Sequence, residues 1–192
     1  MSLLLMMSTR NIVAGPVTVE NEPVPNLLLQ TILEFGGATP DGRLVAAVAL
    51  PWRDILKLFK QDPAAIYQMN PEQWEHFIAG CYSRAGFDVV LTPRSGELGR
   101  DVIATKHDLS GAVRIFDQVK AYKPGHLVPA DDVRALAGVL STPNVSKGIV
   151  TTTSHFAPGI KDDRILAPLM PYRLQLRDRE SLLGWLDELS QE

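Results

Sequence analysis

A capped helix followed by a regular series of strand-like runs, beginning at Asn70, constrains the fold of this chain more than any other feature. Asn70-Pro71 is typical of a helix start, because asparagine caps the first turn and proline suits the first helical position. Gln73 stands where the second partner of a capping box is expected. Apolar residues then recur at positions 74, 77, 78, 81 and 82, and Gly86 is suited to end the helix. We predict an amphipathic helix from Pro71 to just before Gly86.

The remainder of the chain alternates between strand and helix patterns. The predicted strands are Phe87–Thr92, Asp101–Lys106, Val113–Tyr122, Gly148–Thr153 and Tyr172–Arg177, and the predicted helices are Asp131–Leu140, a short one around Gly159–Leu166, and Glu180–Leu189. Because strands and helices intermix along the chain, we expect an α/β fold in which helices flank a mixed sheet.

Residues 1–69 carry weaker signals. We predict a hairpin between Leu27–Phe35 and Arg43–Leu50, with its turn at Thr39–Gly42, because Pro, Asp and Gly favour tight turns. Apolar residues at helical spacing predict a helix over Trp52–Phe59. We interpret residues 1–69 as a small α+β appendage of unknown role and residues 70–192 as the main domain.

Composition limits the classes of protein to which this chain can belong. The single cysteine, Cys81, excludes an internal disulfide and a cysteine-based metal cage, and favours a cytoplasmic protein. No apolar stretch approaches the roughly 20 residues that a membrane helix needs. The net charge of −3 gives no global signature of nucleic-acid binding, so any contact with DNA has to come from a local patch.

The predicted strand Val113–Tyr122 concentrates residues that can do chemistry. Side chains alternate across a strand, so Gln118 and Lys120 share one face and Asp117 lies on the other. A lysine flanked by apolar residues is costly to bury without a negative partner. Asp101, which opens the preceding strand, is a candidate for that partner.

A carboxylate, a polar side chain and a lysine at one strand edge can form a hydrolytic site. Asp101 would bind Mg²⁺, and Lys120 would help to position or deprotonate the attacking water. The simpler alternative is a structural Asp–Lys ion pair at the edge of the sheet. Spacing alone favours that alternative.

Four motifs occur in a fixed order along the chain. They are Trp74-Glu75 in the capped helix, Gly99-Arg100-Asp101, Gln118-Val119-Lys120 with Tyr122 behind it, and Thr151–Phe156. Over roughly residues 70–177, this ordered set resembles the Mrr-type restriction endonuclease family of the PD-(D/E)XK nuclease superfamily.

The resemblance implies a magnesium-dependent endonuclease that hydrolyses phosphodiester bonds in double-stranded DNA, with Mn²⁺ able to replace Mg²⁺, in defence against foreign or modified DNA. It implies that the metal is bound by Asp101, Gln118, the carbonyl of Val119, and Glu75, and that Lys120 is the catalytic lysine. For Glu75 the alternative is a solvated helix residue. Because cutting both strands requires two active sites, we also predict a homodimer.

Two positions depart from the pattern of the family. Gln118 stands where the superfamily more often has Asp or Glu, and Glu97 stands where family members tend to have aspartate. A neutral amide is a weaker ligand for Mg²⁺ than a carboxylate, so the affinity for metal is expected to be modest. A catalytically inactive DNA-binding or assembly module, and a structure-specific repair or junction nuclease, therefore stay open as alternative functions.

Cationic residues on loops border the predicted site and could contact phosphates, which would give affinity without sequence information. They are Arg94, Arg100, Lys106, Lys123 and His126, and His155, which follows a predicted strand, could also contact a phosphate. Each of them, taken singly, is more often a solvated surface residue.

Overall fold

The computed structural model describes residues 33–47, 52–93, 101–109 and 111–191. The predictions for Arg94, Glu97 and Arg100, and the outer ends of the hairpin predicted near the N-terminus, lie outside these ranges.

The described residues form seven strands and four α-helices. The strands are β1 Leu33–Thr39, β2 Gly42–Ala47, β3 Asp88–Leu91, β4 Val102–Asp108, β5 Gly111–Lys120, β6 Lys147–Thr152 and β7 Leu174–Arg177. The helices are α1 Trp52–Gln61, α2 Pro71–Arg84, α3 Ala130–Val139 and α4 Arg179–Gln191.

All strands belong to one mixed sheet in which each strand pairs with the next along the chain, in the order β1 to β7. Pairing is antiparallel from β1 to β5 and parallel from β5 to β7. The α/β fold class predicted from the sequence is therefore confirmed, and so is the hairpin turn between Thr39 and Gly42.

Helices cover both faces of this sheet. On one face, α2 packs with α1 and α4 around the fully buried Trp74 and Phe77, and the Trp74 indole donates to the carbonyl of Ile66 at 3.1 Å. On the other face, α3 packs over β5 and β6, with Phe116 and Leu136 in its core. None of the helices in the described ranges is long and apolar enough to cross a membrane.

The division of the chain at residue 69 stays a prediction. Described residues from both sides of it share one hydrophobic cluster, in which Val45, Ile55 and Phe59 are buried together with α2. Strand β2 also pairs with β3, so the hairpin extends the same sheet.

The short helix predicted around Gly159–Leu166 is replaced by two 3-10 turns, at Ile160–Asp162 and Ala167–Leu169. Between them, the Asp163 carboxylate accepts hydrogen bonds from the amides of Ile165 and Leu166. A side chain that binds nearby backbone amides in this way competes with the continuous ladder of an α-helix.

Leucine side chains of α3 and of the residue after it pack directly on the start of β6. A Cβ atom at Gly148 would lie 2.7 Å from Leu140 Cδ2 and 3.2 Å from Leu136 Cδ2. The absence of a side chain at Gly148 therefore allows the close approach that fixes α3 against the sheet.

Helix α2 begins with the predicted capping box. The amide of Gln73 donates to Asn70 Oδ1 at 2.9 Å, and the amide of Asn70 donates to Gln73 Oε1 at 2.7 Å. Two amides that the helix itself leaves without partners are thereby satisfied.

We expect the substitution Asn70→Ala to lower the free energy of unfolding by about 1 kcal/mol, because it removes the acceptor that caps α2. Asn70→Asp keeps an acceptor at this position and is the matched control. Urea denaturation followed by circular dichroism measures both. Equal losses in the two variants would show that the cap is not the source of the effect.

Candidate active site

Asp101 lies immediately before β4 and is held against β5 by its backbone and its side chain. Its amide donates to the carbonyl of Asp117 at 3.0 Å, and its Oδ2 accepts the amide of Val119 at 2.6 Å. The Asp101 carbonyl also accepts the amide of Thr92, at the end of β3, at 3.1 Å. With a residue exposure of only 8%, this aspartate is fixed where three strands meet.

Gln118 lies beside Asp101. The paired register of β4 and β5 ends at Val102 and Asp117. Asp101 bonds the residues on either side of Gln118, because its amide donates to Asp117 and its carboxylate accepts from Val119. Gln118 is 8% exposed, and its Oε1 is buried without a hydrogen-bond partner among the described residues.

These donors fit a divalent cation that prefers oxygen ligands. No group of three or more His, Cys, Asp or Glu in the described ranges is arranged to hold a metal. The site instead offers the Asp101 carboxylate and the Gln118 amide oxygen. A buried acceptor without a partner costs about 1–3 kcal/mol, and a hard cation at Gln118 Oε1 would offset that cost.

Lys120 ends β5 on the same face as Gln118. Its Nζ lies 3.6 Å from Asp132 Oδ2, in the first turn of α3. The sequence indicated Asp101 as a candidate partner for this lysine; the ion pair in the structure is made with Asp132 instead. The reason is that Lys120 is the last residue of β5, where α3 folds back over the strand and brings Asp132 in its first turn close to the ammonium. The backbone is also tied down, because the Lys120 carbonyl accepts the Thr152 hydroxyl at 2.7 Å.

Tyr122 completes this contact. Its hydroxyl donates to the same Oδ2 of Asp132 at 3.0 Å, and its ring packs against His126 with 4.5 Å between centroids. Burial and the hydrogen bond to Asp132 raise the pKa of Tyr122 to about 12. Tyr122 is therefore a neutral hydrogen-bond donor to Asp132 throughout the physiological range of pH.

Glu75 occupies the second turn of α2 and is half-buried. Its neighbours Trp74 and Phe77 pack on the face of the sheet opposite to α3. The role of Glu75 as a metal ligand stays a prediction.

The loops that follow β5 and β6 bring two of the predicted cationic residues to the edge where Lys120 lies. Lys123 follows β5 and His155 follows β6, and the loops are joined where the Val128 amide donates to the His155 carbonyl at 2.9 Å. Parallel strands present their carboxyl ends at one edge of a sheet, which is where α/β proteins commonly bind ligands.

Lys106 is not brought to this edge. It lies five residues along the chain from Asp101, about 17 Å at the rise of an extended strand. Its Nζ donates to the carbonyl of Ala85, just after α2, at 3.1 Å and lies over the ring of Phe87.

A buried polar cluster behind β5 was not predicted. Asp117 is fully buried and accepts hydrogen bonds from the Tyr82 hydroxyl at 2.8 Å, the Thr151 hydroxyl at 3.0 Å and the Arg177 guanidinium at 3.2 Å. The guanidinium stacks on the Trp185 ring at 3.8 Å. The prediction that Asp117 faces away from Gln118 is confirmed, and burial raises the pKa of Asp117 to about 6.

Comparison with known protein families decides which kind of domain this is. A model of a restriction endonuclease family, Mrr_cat, matches residues 66–186. The chain belongs to this restriction endonuclease family. No curated protein matched the sequence.

The fold was also compared with solved structures. It is similar to the MspJI restriction endonuclease in complex with a 27-mer oligonucleotide, at 15% identity and a TM-score of 0.44, over 76% of this chain and 36% of that one. It is similar to AspBHI, a DNA modification-dependent restriction endonuclease, at 19% identity and a TM-score of 0.45, over 81% of this chain and 41% of that one. It is similar to the restriction endonuclease FokI at 15% identity and a TM-score of 0.49, over 75% of this chain and 28% of that one. The alignments thus span well under half of the length of each of these proteins.

The raised pKa of Asp117 predicts a pH dependence of stability. The pKa of about 6 in the folded protein lies above the ordinary value of 3.8, so the folded state binds a proton more tightly than the unfolded state. The resulting stabilisation is present below pH 4 and is lost as the pH rises through 6. It amounts to at most about 3 kcal/mol.

We expect the free energy of unfolding of the wild type, relative to that of Asp117→Asn, to fall between pH 4 and pH 7. Urea denaturation of both proteins across this range measures the difference. Asp131→Asn, at an exposed position, is the control for the loss of a carboxylate as such. A relative stability that rises with pH would mean that the Arg177 ion pair outweighs burial.

Proposed function

We propose that this domain is a magnesium-dependent endonuclease that hydrolyses phosphodiester bonds in double-stranded DNA. Membership of a restriction endonuclease family supports the nuclease class. The observation that supports this site is the attachment of Asp101 to Asp117 and Val119, on either side of Gln118. The buried Oε1 of Gln118 has no partner among the described residues, and Lys120 lies two residues further along β5.

Metal binding in this proposal rests on oxygen donors around the start of β4. Asp101 and Gln118 supply side-chain oxygens, Val119 supplies its carbonyl, and Glu75 from α2 adds a second carboxylate. When bound, Mg²⁺ polarises the phosphate and lowers the pKa of a coordinated water. Mn²⁺ is expected to substitute, because it accepts the same hard oxygen ligands.

The protein's own groups orient the reactants. The Val119 amide fixes one oxygen of the Asp101 carboxylate, which sets the direction in which the other points. The ammonium of Lys120 donates hydrogen bonds to a non-bridging phosphate oxygen or to the attacking water, and offsets negative charge that develops on the phosphate. Lys120 is suited to this role because its side chain is 22% exposed and reaches the solvent-facing edge of the sheet.

DNA would lie along the edge formed by the ends of β5 and β6. Lys123 and His155, on the loops after these strands, are candidates for contacts with phosphates. The net charge of −3 implies that this contact is local, with the acidic residues turned elsewhere. Arg94 and Arg100 stay predicted contacts, and the placement of Lys106 near Ala85 argues against its taking part.

The biological setting follows from the same proposal. An enzyme that cuts both strands needs two active sites, so we propose a homodimer acting in defence against foreign or modified DNA. The cytoplasmic location expected from the single cysteine fits this role.

A non-cleaving DNA-binding module is the second candidate function. It is favoured by the neutral Gln118 at a position where a carboxylate would bind Mg²⁺ more tightly. Cleavage and binding measured side by side separate the two functions.

We expect the purified protein to cleave plasmid DNA with Mg²⁺ or Mn²⁺ and to lose cleavage when EDTA removes the metal. Asp101→Ala and Lys120→Ala should each lower the rate by at least about 100-fold, because each removes a group that acts at the reacting phosphate. Lys120→Ala should keep most of the DNA affinity, since affinity depends on many phosphate contacts. Asp131→Ala, which removes an exposed carboxylate, is the control. Cleavage that survives both site substitutions would rule out this site.

We expect Gln118→Glu to tighten Mn²⁺ binding by about tenfold, because a charged oxygen replaces a neutral one at the buried position. Gln175→Glu introduces the same change on β7 and is the matched control. Isothermal calorimetry without DNA measures the affinities. Equal effects of both substitutions would indicate a general effect of charge, and no metal ligand at Gln118.

A further inference from the structure

Lys120, Tyr122 and Asp132 form a connected group that we call the lysine anchor. Asp132 Oδ2 accepts the Tyr122 hydroxyl at 3.0 Å and lies 3.6 Å from Lys120 Nζ. The carboxylate comes from α3, whereas Lys120 and Tyr122 are neighbours on one face of the chain at the end of β5.

We propose that Asp132 is a positioning residue that holds the ammonium of Lys120 in the orientation needed for phosphodiester hydrolysis. This inference rests on the proposed function and adds to it a residue outside the metal-binding set. Asp132 acts through Lys120 and touches neither the metal nor the phosphate.

Asp132 is itself held in a fixed position, which a positioning residue requires. The next residue of α3, Val133, is fully buried. Further along, Leu136 and Leu140 pack against Gly148 of β6. The hydroxyl of Tyr122 also donates to Oδ2 of this carboxylate and so helps to orient it. The first turn of a helix also favours a negative charge.

Lys120 needs such a partner because its side chain has four rotatable bonds and ends at the edge of the sheet. The backbone of Lys120 is pinned by the hydrogen bond from the Thr152 hydroxyl to its carbonyl at 2.7 Å. The ammonium at the far end is paired with Asp132 alone among the described carboxylates. Without that carboxylate the Nζ would sample several rotamers, and few of them would face a phosphate bound beside Asp101 and Gln118.

The neighbouring aspartate shows that this arrangement is specific to Asp132. Asp131 stands one residue earlier in the same turn, and its side chain is 89% exposed. It pairs with Arg134, which also bonds Asp163, so its charge is directed away from the lysine anchor. The chain therefore offers a matched pair of carboxylates, of which only one contacts Lys120.

The partly exposed ion pair between Lys120 and Asp132 adds little to the stability of the fold, but it can orient the lysine. The side chains of Lys120 and Asp132 are 22% and 28% exposed, and pairs in contact with water contribute little to folding. The rate of a reaction is far more sensitive, because a displacement of about 1 Å in a reacting group can cost about 100-fold. The lysine anchor should therefore affect the rate of cleavage more than the stability of the fold.

The test compares single-turnover cleavage with DNA affinity in the full chain. Asp132→Asn should lower the cleavage rate about 10- to 100-fold while it leaves the DNA affinity, measured without divalent metal, within about twofold. Asp132→Glu should recover part of the rate, and Tyr122→Phe should produce a smaller loss in the same direction. Asp131→Asn should cleave like the wild type. Thermal unfolding of each variant identifies any that fail to fold, in which case Tyr122→Phe and Asp132→Glu carry the test.

A second measurement does not depend on cleavage. Nuclear magnetic resonance of the lysine ammonium groups detects those that an ion pair protects from exchange with water. The signal assigned to Lys120 through Lys120→Arg should weaken or shift in Asp132→Asn and stay unchanged in Asp131→Asn.

These outcomes separate the two proposals. Wild-type rates in Asp132→Asn, or equal losses in Asp132→Asn and Asp131→Asn, would overturn the role of Asp132. A wild-type protein that cleaves no DNA would overturn the proposed function and, with it, the role of Asp132 in hydrolysis. In that case the Lys120 resonance still decides whether Asp132 holds the lysine, and an unchanged signal in Asp132→Asn would overturn that as well.

Discussion

The candidate site depends on one hydrogen bond, from the amide of Val119 to the carboxylate of Asp101 at 2.6 Å. In this bond the Asp101 side chain accepts a backbone amide of β5, at the point where Asp101 leads into β4. The bond determines where the carboxylate lies and, together with the bond from the Asp101 amide to the Asp117 carbonyl, places Asp101 beside Gln118. The alignment of Lys120, two residues further along β5, follows from the same backbone.

Strand β5 keeps two sets of charges apart by the alternation of its side chains. Asp117 points into the face covered by α2 and α4, where Arg177 neutralises it in a buried cluster. Gln118 and Lys120 point to the face covered by α3. Because Asp117 is engaged by Arg177, this carboxylate does not compete for Lys120 or for a cation beside Asp101.

Local features of the sequence predicted much of the fold and the opposite orientation of Asp117 and Gln118 on β5. The capping box of Asn70 and Gln73 depends on residues three apart, and the opposite faces of Asp117 and Gln118 depend only on strand alternation. The partners of the charged residues could not be predicted in this way. Arg177 lies 60 residues from the Asp117 that it neutralises, so only the complete sheet brings them together.

For the same reason, the sequence did not predict the partners of Lys120 and Lys106. Asp132 reaches Lys120 because α3 folds back over β5, and no spacing rule identifies which of two adjacent aspartates turns inwards. Lys106 was expected to lie on a loop that borders the site. An extended strand instead carries it to the far end of α2, beside Ala85.

The order of strands has a consequence for how such a domain can be elaborated. Among the described residues, every strand pairs with its neighbour in the chain, and no strand is inserted between earlier ones. The pair β4–β5, which carries Gln118 and begins next to Asp101, has three described strands on one side and two on the other. Extra strands or whole modules can therefore be joined at either border, at β1 or β7, while the central pair keeps its geometry. In such a sheet, additional domains can be fused at the borders while the central strands β4 and β5 stay unchanged.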